Sequence, residues 1–258
     1  MTEVVAHTWY MLDRHVRDLL RQPVWIATLL STPLVWLLLY SQLFRRITEL
    51  PGFGTDSYIE FLMPGVVIMT AFFTGTWNGM SMINDLDRGI IERFLATPAR
   101  RSSLVLGHVA QSSTIAILEA LIVLSLGYAL GARVAAGVAG WLVVLVAAAL
   151  VTACFAGLSN GLALLTRRDA TMIAVANFIA LPLMFLSAIL IAPELMPAWM
   201  RWAARFNPVN WGVAAAREAV QAGTKWPFVA LQLGLLLAFA ALTAAFATWA
   251  FRMYRRTL

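Results

Sequence analysis

The chain has 258 residues, 61% hydrophobic and only 12% charged, with a formal charge of +6. Soluble domains carry roughly 25% charged residues, so this composition and a mean hydropathy of +0.78 exclude most water-soluble enzymes and place much of the chain in lipid. Lys225 is the only lysine, the other basic residues being arginine. In a soluble protein such an excess suggests nucleic acid. In a chain this apolar it reads as charge sorting across a bilayer, with no nucleic-acid partner.

The first 23 residues are patterned but too short and polar to span. Val5, Trp9, Leu12, Val16 and Leu19 share one helical face, and Glu3, His7, Arg14, Asp18 and Arg21 cover the other. The pattern predicts a helix lying in the membrane interface, or one packed on a neighbouring helix. Crossing a bilayer takes roughly 20 apolar helical residues. Uncharged stretches at 24–44, 61–83, 104–130, 138–165, 170–192 and 226–251 therefore predict six spans in an all-α, single-domain membrane protein. The first stretch is followed by Arg45 and Arg46, not by a small-residue cleavage site, so no removable leader is expected.

Arginine sets the expected orientation. With the N-terminus inside, the inner pieces carry Arg14, Arg17, Arg21, Arg88, Arg93, Arg100, Arg101, Arg167, Arg168, Arg252, Arg255 and Arg256. The outer pieces carry Arg45, Arg46, Arg133, Arg201, Arg205, Arg217 and Lys225. The larger inner share puts both termini in the cytoplasm.

Cys154 is the only cysteine, and His7, His15 and His108 are the only histidines, all in the first half. No intrachain disulfide or thiolate metal site can form, and no metal ligand or catalytic residue is expected. Gly157-Leu158-Ser159 superficially suggests a serine nucleophile, but no histidine follows it, which argues against an intramembrane Ser–His enzyme. A Walker A loop is absent as well, because Lys225 is preceded by Gly223-Thr224 and followed by Trp226. Lack of repeats and of paired intramembrane charges disfavours an ion-coupled carrier.

The loop at 84–103 carries the most specific pattern. Ile90, Ile91, Phe94 and Leu95 form a short apolar stripe among Asp85, Asp87, Arg88, Glu92 and Arg93, and Pro98 ends the turn. Such a turn suits a groove on a cytoplasmic partner, or is an ordinary basic loop. The run Gly89-x-x-Glu92-Arg93-x-Leu95-Ala96-Thr97-Pro98-x-Arg100, followed by Leu106-Gly107, resembles the ABC-2 family of transporter permeases. The drug- and antibiotic-exporter branch, typified by daunorubicin-resistance permeases, looks closest. The resemblance extends along the chain to Phe206-Asn207-Pro208-x-x-Trp211.

The resemblance implies a permease subunit of an ATP-binding cassette exporter in a bacterial plasma membrane, moving hydrophobic or amphipathic compounds by alternating access. An exporter of polysaccharide or glycolipid is the alternative. Two cytoplasmic ATPase subunits would bind the ATP and Mg, this chain binding no cofactor itself, and a second identical or homologous permease chain would complete the pathway in the lipid. Gly89, Glu92, Arg93, Thr97, Pro98, Arg100 and Arg101 would form the coupling helix, with Arg167 and Arg168 a second ATPase contact. Short helices at 193–225 would re-enter the outer leaflet as a lid carrying Phe206, Asn207, Pro208 and Trp211.

Polar residues inside spans are the pathway candidates. Glu119 lies near the middle of the third span, either in the export path or hydrogen-bonded to an adjacent span. Asn160 and Asn177 are read as helix ties or pathway residues, and Trp77 and Asn78 could line a channel. Ala149, Ala153, Gly157 and Gly161 recur every four residues and predict a tight helix contact, within or between subunits. In the 193–225 segment, Pro197 can start a short helix, Asn207-Pro208 breaks it, and Asn210 could cap a second helix to about Gln221. A surface loop held by Trp199, Trp202, Phe206 and Trp211 is the alternative.

Overall fold

The structure, a computed structural model, describes residues 31–44, 57–90 and 102–255. Every element among them is helical. Helix α1 covers 31–43 with a π turn at Trp36–Tyr40. It is followed by α2 (Tyr58–Asp87), α3 (Ser102–Ala129), α4 (Gly137–Thr166), α5 (Asp169–Phe185), α6 (Ala198–Ala204), α7 (Pro208–Val220) and α8 (Trp226–Arg255). The expected interfacial helix at 1–23 and residues 24–30 of the first span lie outside the described residues.

Among the described residues, four helices are long and apolar enough to cross a bilayer: α2, α3 over Val105–Ala129, α4, and α8 over Trp226–Tyr254. Six spans were expected. The fifth, expected over 170–192, is a helix of 17 residues that ends at Phe185. Its chain then runs through turns and bends to a 3₁₀ turn at Pro193–Leu195.

Helices α2 and α4 form the centre and run parallel. Small residues bring their backbones together: a Cβ on Gly79 would stand 2.5 Å from Ser159 Oγ, and one on Gly75 2.6 Å from the Thr152 carbonyl. Polar groups use that closeness. Thr152 donates to the Ala71 carbonyl (2.8 Å) and Ser159 to the Thr76 carbonyl (2.6 Å), while the Gly79 N–H donates to Ser159 Oγ (2.8 Å). Phe72 and Phe155 meet edge to face at 4.5 Å. Interhelical bonds of this kind contribute about 0.6 kcal/mol each in a membrane.

Of the stripe Ala149, Ala153, Gly157 and Gly161, the two glycines find their contact inside the subunit. Gly157 faces Thr243 and Ala244 of α8, and Gly161 faces Phe246 and Ala247. Cys154 adds a thiol bond to the Leu236 carbonyl at 3.3 Å. Helix α4 thus binds α2 on one side and α8 on the other. A second apolar cluster (Met82, Ile83, Val105, Leu164, Met172 and Phe251) closes the end of the bundle where α2 and α4 finish.

Helix α7 enters the bundle from the opposite end. Gly212 lies against Val151 and Ile68, about half-way along α4. The Val220 carbonyl accepts from Ala135 N–H at 2.9 Å, just before α4 begins. Asn207 caps α7, its side chain accepting from Val209 N–H at 3.0 Å. The cap was expected at Asn210, which lies inside the helix. Pro208 decides the difference: it has no N–H to satisfy and its fixed φ suits the first helical position, leaving the cap to the residue before it.

Candidate functional site

Glu119 on α3 is only 6% exposed and accepts a hydrogen bond from the Thr74 hydroxyl of α2 at 2.7 Å. It therefore ties α2 to α3 inside the bundle. Asn78 on α2 donates to Asn160 on α4 at 3.0 Å. Asn160 is fully buried, and its own amide nitrogen has no partner. These two pairs tie α2 to α3 and to α4, whereas Asn177 is exposed on α5.

Trp77 is 38% exposed and belongs to a stripe that the sequence reading named only in part. Thr70, Thr74, Trp77, Ser81, Asn84 and Arg88 recur at helical spacing along one face of α2. The two threonines are half-buried and the other four exposed, on a helix otherwise packed in apolar neighbours. Its signal in the sequence is a polar 3–4 spacing inside a span, the counterpart of the apolar spacing that marks amphipathic helices.

A second polar assembly surrounds the end of α5. The Asn207 amide donates to the carbonyls of Leu183 (2.6 Å) and Leu186 (3.0 Å). Asn210 accepts from the Ala188 N–H at 3.0 Å, and Tyr58 donates to the Leu190 carbonyl at 3.2 Å. Arg217 completes the set. It is 8% exposed, donates to the carbonyls of Ala188 (2.8 Å), Phe61 (3.3 Å) and Ile189 (3.4 Å), and lies 3.7 Å over the Phe61 ring. Side chains from α2 and α7 thereby satisfy the backbone groups that the end of α5 leaves open, which buried non-helical backbone requires. Among the expected lid residues, Asn207 and Pro208 are buried in this assembly, Phe206 is exposed, and Trp211 donates to the Arg205 carbonyl at 2.7 Å. Arg217 was read only as an outer-loop charge. Its signal is weaker than that of Glu119: Arg217 follows the apolar run Val213-Ala214-Ala215-Ala216 but stands next to Glu218, which makes it look like an ordinary surface charge pair.

At the other end, α2 stops at Arg88, and Gly89 adopts φ +65°, a left-handed turn that glycine takes without a Cβ clash. Glu92, Arg93, Thr97, Pro98, Arg100 and Arg101 lie outside the described residues. Arg167 ends α4 with φ +53° and places its guanidinium 4.5 Å over the Tyr254 ring of α8, while Arg168 is exposed beside it. His108 Nε2 on α3 lies 3.2 Å from Asp85 Oδ2 on α2. Neither residue had been named as a site.

Long apolar helices joined by buried polar ties define an integral membrane protein. The chain belongs to the ABC-2 type transporter family, whose sequence model matches residues 6–220. It is 26% identical to the daunorubicin resistance ABC transporter permease protein DrrB1 of Streptomyces coeruleorubidus, over 99% of this chain and 87% of that one. It is also 24% identical to the ycf38 protein of Cyanophora paradoxa, named for a transport permease, over 83% of this chain and 73% of that one. Family membership makes it a transport permease that works with an ABC ATPase.

Proposed function

We propose that the chain is the membrane subunit of an exporter for hydrophobic or amphipathic compounds, driven by two separate ATPase subunits that hold ATP and Mg. A second permease chain completes its pathway. The observation that carries this reading is the polar stripe on α2. A membrane-spanning face that presents Trp77, Ser81 and Asn84 is unsuited to lipid tails and suits a water-accessible path or a second permease subunit. Full-length likeness to a drug-resistance permease supports the cargo class. On this reading Gly89, Glu92, Arg93, Thr97, Pro98, Arg100 and Arg101 dock on the ATPase with Arg167 and Arg168. The α6–α7 region forms the outer lid, and the polar residues at and behind the α2 stripe shape the path.

The test uses inverted vesicles containing the permease and its ATPase, with daunorubicin fluorescence as the probe. ATP-dependent accumulation is expected. Glu92→Ala and Arg93→Ala should each reduce it about tenfold, equivalent to about 1.4 kcal/mol, at unchanged permease level. Wild-type accumulation in both variants would remove the docking assignment. Accumulation of a lipid-linked sugar in place of daunorubicin would move the cargo to glycolipid.

A further inference from the structure

We propose that Asp85 and His108 are a positioning pair, a strut that makes the two helix ends flanking the 91–101 segment move as one. The proposal rests on the reading of this chain as an ATPase-driven permease. Asp85 lies in the last turn of α2, and His108 lies in the second turn of the antiparallel α3. Their side chains meet at 3.2 Å and are 28% and 13% exposed, so the contact is partly shielded from water. An imidazole with its proton on Nε2 donates to a carboxylate whether the ring is neutral or charged, so the link does not depend on the charge of His108.

Geometry gives the link its consequence. In the chain, residues 91–101 connect the end of α2 to the start of α3. A force on that segment either splays these ends or moves them together. Beside the strut, Met82, Ile83 and Val105 are in apolar contact. Apolar contacts are non-directional and allow sliding, whereas a carboxylate–imidazole bond has a fixed direction and a steep distance dependence. Further along, Thr74–Glu119 ties the same two helices, and Asn78–Asn160 and Ser159 carry α2 to α4. With the strut closed, displacement of the segment enters α2, α3 and α4 together.

The experiment has two readouts. In a Cys154→Ser background, spin labels are placed by Arg88→Cys and Leu106→Cys, both exposed positions, and dipolar broadening reports their separation. His108→Leu and Asp85→Leu should each widen the distance distribution, and the swap Asp85→His with His108→Asp should narrow it again. In the complete complex in inverted vesicles, each single variant should lower daunorubicin moved per ATP hydrolysed about threefold, with the KM for ATP unchanged, and the swap should recover it. A purely structural role would lower yield and hydrolysis together. An unchanged distribution in both single variants, or a swap no better than the singles, would overturn the strut. Wild-type daunorubicin transport unlinked from hydrolysis would overturn the ATPase-driven reading and the coupling role with it, while the spin labels still decide whether the strut exists.

Discussion

Glu119 is the single carboxylate of α3, and its surroundings give it one clear partner. An ionised carboxyl at bilayer depth costs on the order of 2.5–3.5 kcal/mol on insertion scales, so the Thr74 hydroxyl 2.7 Å away matters to its placement. Glutamine keeps an acceptor for that hydroxyl and removes the charge, whereas leucine removes both. If the residue is an interhelical tie, Glu119→Gln should transport daunorubicin normally and melt within about 0.5 kcal/mol of wild type. Glu119→Leu should lose about 0.6–1.7 kcal/mol, read by thermal melting of the detergent-solubilised permease. Transport lost in the glutamine variant at unchanged melting would instead assign the charge to the pathway. A lone acid in an apolar run was plain in the sequence. Its partner was not, because Thr74 is 45 residues away and an ordinary threonine in another span.

The helices themselves divide along the same line. Positions of α2, α3, α4 and α8 follow from uninterrupted apolar runs, since a helix is the arrangement that satisfies its own backbone in lipid. Where α5 stops does not follow, because residues 186–192 are as apolar as those before them. The helix ends at Phe185 with its open backbone groups met by Asn207, Asn210, Tyr58 and Arg217, residues distant in sequence. Asn207 serves both elements, capping α7 with its oxygen and holding the end of α5 with its nitrogen. Serine is also a good N-cap but lacks the amide donor. Asn207→Ala should lose about 1–3 kcal/mol from the unsatisfied carbonyls alone. Asn207→Ser should fall close to alanine if the α5 bonds dominate. Serine melting like wild type would show that capping is the whole of its contribution.

At the scale of the molecule, the parallel run of α2, α4 and α8 against α3 and α5 sorts the charges to two ends. Arg88, Arg167, Arg168 and Arg252 gather at one end, and Arg133 and Lys225 at the other. Arg217, near the second end, is buried and spent on carbonyls. The arginine bias on which the expected orientation rests comes mostly from 1–23 and 91–101, the stretches with Arg14, Arg17, Arg21, Arg93, Arg100 and Arg101. The structure contributes the grouping: whichever side holds Arg168 also holds Arg88 and Arg252, and Arg133 and Lys225 share the opposite side. Single cysteines at these exposed positions, in the Cys154→Ser background, test both statements in intact cells with a membrane-impermeant thiol reagent. Arg133→Cys and Lys225→Cys should label from outside, and Arg168→Cys and Arg252→Cys only after permeabilisation. The reverse pattern would keep the fold and invert the orientation, placing the 84–103 loop outside and out of reach of any ATPase. Labelling of 133 and 168 from the same side would contradict the bundle itself.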